Sequence, residues 1–207
     1  MKAFKTVMDK TEAEITEKRS RFIATLAHVE NEQAALSFLN EMRSMYWDAR
    51  HNVYAYSLSS GTKRFSDDGE PHGTAGKPVL DVINGNGLDD VIIVVTRYFG
   101  GVLLGTGGLV RAYSSAAAEV VKNAEVCEMT PCITVKTECE YPQYDRLSKI
   151  LEGYSCHIIS TDYADKINIS LLLAVTEKQR LEEEIKEAFF ADLSLNYGEE
   201  ISFPIKK

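Results

Sequence analysis

The sequence has 207 residues, 44% hydrophobic and 26% charged, enough for one large or two small domains with cores of their own. Lys and Arg total 23 against 31 Asp and Glu, a net charge of −8, which excludes a protein that coats nucleic acid non-specifically, and no DNA partner is expected. No segment has the length and apolarity to cross a bilayer and no apolar stretch marks the first twenty residues as a targeting peptide, so the cytoplasm is the expected location.

Residue periodicity predicts strands over 12–17 and 21–29, joined through KRSRF, whose Lys18, Arg19 and Arg21 read as a solvated basic turn. A helix capped by Asn31 follows, with Ala35, Phe38, Leu39, Met42, Met45 and Tyr46 inward. HNVYAYSL, from His51 to Leu58, reads as a strand and TKRFSDDGEPHGTAG as a polar loop. A short helix is expected from near Pro78, and the apolar run Val91–Thr96 is a buried strand. The glycine-rich turn RYFGGVLLGTGG leads into a helix with Val110, Tyr113, Ala117, Val120, Val121 and Ala124 on one face. The segment CEMTP, residues 127–131, divides a first domain, 1–130, from a second, 131–207.

The second domain opens on a strand with strict alternation: Ile133, Val135, Thr137, Cys139 and Tyr141 share one face. A helix started by Pro142 carries Tyr144, Leu147, Ile150, Leu151 and Tyr154. A short strand at Cys156–Ile159, a turn at Tyr163-Ala164-Asp165 and a strand from Ile167 to Val175 come next. Thr176 and Gln179 have the spacing of a capping box for a helix that buries Leu181, Ile185, Ala188 and Phe189, and a last strand holds Leu193, Leu195, Ile201 and Phe203. The order βαββαβ is that of ferredoxin-like domains, so the fold class is α+β.

Eleven of the 13 glycines fall between Gly61 and Gly108, so positions that need positive φ or close backbone approach are concentrated there. Strand, turn and helix at 91–124 have the layout of an anion site, with Gly100, Gly101, Gly105, Gly107 and Gly108 in the turn and Arg97 and Arg111 at its edges. The P-loop and dinucleotide fingerprints are incomplete, and no cofactor is expected. Close packing of helix and strand explains the same glycines. Asp67, Asp68 and Glu70 could act as acid and base or hold a cation, but their spacing fits no metal loop; they equally serve as turn residues that pair with Arg64, Lys77, Arg97 or Arg111. No metal is expected. His51 opens a strand and reads as a satisfied structural histidine, while His72, on the polar loop, is freer to work. Tyr98 and Phe99 could stack on a base or a partner's side chain, or plug the end of the central strand. Cys127, Cys132, Cys139 and Cys156 form no CxxC pair and read as reduced, mostly buried thiols.

Four segments carry a resemblance: KRSRFI at 18–23, HNVYAY at 51–56, DDGEPHGTAGKPVL at 67–80 and VIIVVTRYFGGVLLGTGGLVRAY at 91–113. Together they resemble the IMPACT/YigZ family. The resemblance implies a first domain similar to the second domain of a small-subunit ribosomal protein and to domain IV of elongation factor G. It also implies a second domain similar to domain V of that factor, in line with the βαββαβ pattern. Eukaryotic relatives regulate translation by binding the activator of a starvation-sensing initiation-factor kinase, with help from an additional N-terminal domain that has no counterpart in these 207 residues.

Two functions follow as expectations. The first is a non-enzymatic cytoplasmic factor of the translation machinery, partnered by RNA, the ribosome or a translation-regulating protein. Its docking surface would be the SDDGEPHGTAG loop and RYFGG turn, with Arg64, Asp67, Asp68, Glu70, His72, Lys77, Arg97, Tyr98, Phe99 and Arg111 around the turn glycines. Replacing Arg97 and Arg111 by Ala should then abolish ribosome association and leave thermal stability nearly intact. The second is an enzyme acting on a small phosphorylated or nucleotide-like ligand held at the same turn, with Asp67, Asp68, Glu70 or His72 as acid, base or metal ligand and no single one of them assigned as the catalytic residue.

Overall fold

The computed structural model describes residues 2–190 and 192–205. The chain forms two compact units, Phe4–Cys127 and the part from Glu128 on. In the first, β1 (Phe4–Val7) precedes β2 (Thr11–Glu17), β3 (Ser20–His28) and α1 (Glu32–Met45). β4 (His51–Ser57), β5 (Lys63–Ser66), α2 (Gly76–Gly85), β6 (Val91–Tyr98) and α3 (Thr106–Asn123) complete it. The sheet runs β2-β3-β6-β4-β5, every neighbouring pair antiparallel.

β6 is central and buried from Val91 to Arg97, which is why its sequence is an apolar run rather than an alternation. Val91, Ile93 and Val95 share one face with Phe22, Ala24, Leu26, Val53 and Ala55, and α2 and α3 cover that face through Val79, Ile83, Leu109, Tyr113, Ala116 and Val120. Ile92 and Val94 turn the other way, with Tyr56, onto Ala35, Leu39 and Met42 of α1. Each large aliphatic side chain fully buried in these layers contributes about 1.5–3 kcal/mol.

Asn31 caps α1 as its residue type requires, its Oδ1 accepting the Ala34 N–H at 2.9 Å. Met45 and Val110, expected inward, are 53% and 37% exposed, because each lies beside the buried stripe of its helix. β5 lies inside the expected polar loop. Its sequence KRFS has no apolar alternation, since it is a short edge strand paired only with β4, and its charges discourage further pairing. β2 and β3 are joined by a two-residue turn in which Lys18 and Arg19 both have positive φ, 45° and 67°.

The second unit contains β7 (Val126–Cys139) from its third residue on, α4 (Tyr141–Leu151), β8 (Cys156–Tyr163), β9 (Ile167–Ala174), α5 (Lys178–Phe189) and β10 (Leu195–Phe203). Its strands lie in the order β10-β7-β9-β8, all pairs antiparallel. β7 and β8 therefore run parallel with β9 between them, the split βαβ of a ferredoxin-like fold. Leu147 and Leu151 of α4 and Leu181, Ile185 and Phe189 of α5 pack on Ile133, Val135, Ile169, Leu171 and Leu173. The expected capping box at Thr176 is absent: Val175–Glu177 is a 3-10 turn, α5 has no side-chain cap, and the Glu177 carboxylate instead accepts the Ser155 N–H at 2.6 Å. Tyr141 begins α4 and is 53% exposed rather than closing the strand. All four cysteines are free thiols, and burial pushes each above its ordinary pKa.

Candidate functional site

Strand register places three residues in a row at one end of the first sheet. Phe22 of β3 and His51 of β4 both pair with Arg97 of β6, and all three sit on the face that α2 and α3 cover. An arginine inside an apolar strand needs a carboxylate. Glu70 supplies it: Arg97 Nη1 donates to Glu70 Oε1 at 2.6 Å, and both side chains are more than nine-tenths buried, 7% and 4% exposed. Tyr113 of α3 donates its O–H to the same oxygen at 2.8 Å, and its ring meets Phe22 edge-on at 5.1 Å. Burial, then the neighbouring Glu70 carboxylate, push the Tyr113 phenol far above its ordinary pKa, so it acts as a fixed donor. The Arg97 guanidinium lies between the Phe22 and Phe99 rings, 5.4 and 5.6 Å from their centroids.

His51 Nδ1 lies 2.8 Å from the Asp68 carbonyl oxygen. A carbonyl only accepts, so Nδ1 is the donor there, and Nε2 lies 4.0 Å from Glu70 Oε1. The loop that delivers Glu70 is closed by Asp67, which accepts backbone N–H groups from Gly73 at 2.8 Å, Ala75 at 3.1 Å and Gly76 at 2.8 Å. Burial opposes its ionisation, but these three donors and nearby His72 outweigh it and hold the carboxyl below the usual range. Asp68 accepts from the Asn52 N–H at 2.7 Å and from Arg43 at 2.8 Å. The three carboxylates thus serve three separate sets of partners, and among the described residues no cluster of His, Cys, Asp or Glu is arranged to hold a metal.

A cleft of about 380 Å³ opens beside this network. Its polar side is formed by Arg50, His51, Glu70 and Arg97, and its apolar side by Phe99, Leu103, Leu104 and Leu109. Gly105 and Thr106, where α3 starts, complete the rim. The turn depends on Gly100, where a Cβ would lie 2.1 Å from the Arg19 carbonyl carbon, and on the positive φ of Gly105, 73°, at the helix cap. Gly101 also has positive φ, and Gly107 and Gly108 lie in the first turn of α3. A hollow of about 420 Å³ on the second sheet is larger, but its charged groups, Lys136, Glu138 and Asp162, are exposed. Buried, convergent polar groups make the first cleft the better candidate.

The residues expected at one surface separate into groups. Glu70, Arg97, Phe99 and Gly105 line the cleft. Arg111 is exposed on α3 and borders a neighbouring hollow with Lys18 and Gly108. Arg64 turns to Glu32 at 3.0 Å and Lys77 to Asp81 on its own helix. Tyr98 faces the α1 side and donates to Asp48 at 2.7 Å. His72 is fully exposed, 3.7 Å from Asp67, whereas His51 is both held by the backbone and open to the cleft. The buried ion pair argues against the expectation that Arg97 can be replaced at little cost in stability, because Glu70 would remain buried without its cation.

The profile of the Impact N-terminal domain matches residues 18–121, and that of a domain of unknown function, DUF1949, matches 137–189. The IMPACT family member YigZ of Escherichia coli (strain K12) is 41% identical over 150 residues, which cover 70% of this chain and 74% of its own. The chain belongs to the IMPACT family. Within that family, YvyE of Bacillus subtilis (strain 168) is 32% identical over 196 residues, 94% of this chain and 90% of its own. The crystal structure of a hypothetical protein superposes with a TM-score of 0.63 at 32% identity, covering 96% of this chain and 98% of that one. Every residue of the cleft falls inside the Impact domain match. Arg50, His51, Leu103, Thr106 and Tyr113 were not singled out for it from sequence. The available signal was Arg97 itself, since a charge in a buried run requires partners on adjacent strands and loops.

Proposed function

We propose that this protein is a translation-associated regulatory factor that docks on the RNA of the ribosome through the cleft end of its Impact unit. Family membership supports the translation setting, because the resemblance to the IMPACT/YigZ family implies relatives that regulate translation. The observation that carries the docking surface is electrostatic. Lys18, Arg19, Arg50 and Arg111 make no ion pair among the described residues of a chain with net charge −8. All four lie around one end of the first sheet: Arg19 beneath Gly100, Lys18 and Arg111 beside one hollow, Arg50 on the cleft. Unpaired cations grouped in this way give a local, salt-sensitive attraction to phosphate without a basic protein as a whole.

Co-sedimentation with ribosomes over a salt series tests the reading. The wild type should sediment at low salt and be released as salt rises, and the double variant Arg50→Glu/Arg111→Glu should lose at least tenfold in affinity. Both residues are exposed, so its melting temperature should stay within about 2 °C of the wild type. A wild type that never sediments, or a charge-reversed variant that still does, overturns the proposal. Capture of a translation-regulating protein with no ribosome association would replace it with the protein-partner reading.

A further inference from the structure

Two independent features of the cleft call for a bound anion. Arg97 uses Nη1 for Glu70, but its buried Nε–H has no acceptor among the described residues. Arg97 is 6% exposed and forms part of the cleft wall, so a buried strong donor stands unsatisfied at the edge of an open space. The second feature is the start of α3, an 18-residue helix with no side-chain cap and no acidic residue in its first turn. Its first intrahelical bond runs from the Leu109 N–H to the Gly105 carbonyl at 3.0 Å, which leaves the N–H groups of Thr106, Gly107 and Gly108 without helical acceptors at the positive end of the helix dipole. Space beside Gly107 is open, since a Cβ there would meet Arg111 Nη1 at 3.8 Å, whereas Gly108 is packed under Leu104, whose Cβ would lie 2.9 Å from a Cβ on it.

The surroundings define the ligand further. Arg111 over the helix start and Arg50 on the cleft rim, neither in an ion pair among the described residues, supply two positive charges. Three free N–H groups and two guanidinium groups exceed what the two oxygens of a carboxylate accept and suit a phosphate. Phe99 and Leu103, 46% and 82% exposed, add an aromatic ring and an alkyl surface to the lining of the cleft. We propose that the cleft binds a nucleotide, with its phosphate on the N–H groups of Thr106–Gly108 between Arg50 and Arg111, its base against Phe99 and Leu103, and an acceptor for Arg97 Nε. The inference deepens the docking reading and rests on it only in taking the same cleft as the working surface.

Calorimetric titration and thermal shift of the full chain test it with the four nucleoside 5′-monophosphates, inorganic phosphate, adenosine, one oligoribonucleotide with and without a 5′-phosphate, and an acidic peptide. At least one monophosphate should bind and raise the melting temperature, inorganic phosphate at least tenfold more weakly, and adenosine more weakly still. An oligoribonucleotide that binds through its 5′-phosphate tenfold more tightly than the monophosphates identifies an RNA end as the source; equal affinities identify the free nucleotide. The Gly107→Asp variant places a carboxylate where the phosphate would sit, so it should lose at least tenfold in nucleotide affinity while its melting temperature holds or rises, because an acidic group favours a helix start. Arg50→Ala/Arg111→Ala should lose affinity similarly with unchanged melting. Absence of nucleotide binding, wild-type affinity in both variants, or tighter binding of the acidic peptide overturns the inference. Nucleotide binding without ribosome association would sink the docking reading alone, and ribosome association without nucleotide binding would sink this one alone.

Discussion

Glu70 holds two donors on one oxygen, and the two are unequal in consequence. Removing the Tyr113 hydroxyl leaves the carboxylate paired to Arg97, so Tyr113→Phe should cost about 1 kcal/mol in denaturant unfolding. Arg97→Met strands a buried carboxylate and should cost about 3–5 kcal/mol, whereas adding Glu70→Gln to it should recover much of the loss by removing the charge. If the double variant were no more stable than Arg97→Met alone, the ion pair would not be the reason Arg97 matters. The anomaly of Arg97 is legible in the sequence because it interrupts VIIVVT with a charge. Its partner is not, since Glu70 lies 27 positions earlier in a loop without periodicity and reaches the site only after the loop has closed.

That closure belongs to the scale of the loop and α2. Ala75 has no side chain with which to cap α2, and Asp67 does so from eight residues away while also binding Gly73. Asp67→Asn should therefore loosen the loop and cost about 1–2 kcal/mol at neutral pH. The acid limb of the stability curve reports the same interaction. The folded pKa of Asp67 lies below its unfolded value, so its stabilisation is complete above the unfolded value, near 3.9, and is lost as pH falls through the folded one. Acid unfolding of Asp67→Asn should be shallower over that window than that of the wild type. Elements with one buried face were legible from period alone, as α1 and β9 illustrate, and β6, buried on both faces, from its unbroken apolar run. β1 and β5 were not, because a four-residue strand is too short to show alternation. The start of α5 misled because Thr176 and Gln179 have capping-box spacing, yet the chain enters the helix through a 3-10 turn.

Across the whole molecule, the cores of the two units share no residue. Each should unfold as its own cooperative block, so calorimetry of the full chain should resolve two transitions. Leu171→Ala, at a fully buried position of the second core, should cost about 2–5 kcal/mol and lower one transition while leaving the other in place. A single transition that shifts as a whole would refute this independence. The order of the second unit's six elements was readable in advance, although β8, exposed along most of its length, runs on to Tyr163, where a turn was expected. The Impact unit was readable as strands and helices but not as a site, since the cleft is assembled from one end of β4 and β6, one loop and one helix start.

The turn between β2 and β3 puts Lys18 and Arg19 where a two-residue hairpin is most easily made by Asn-Gly. A side chain held at positive φ is a standing strain, so the fold is kept below the stability its own topology permits. The same two positions carry two of the unpaired cations. Engineering for heat resistance would pull against the proposed docking chemistry here: Lys18→Asn/Arg19→Gly should melt higher and, on that proposal, co-sediment less with ribosomes.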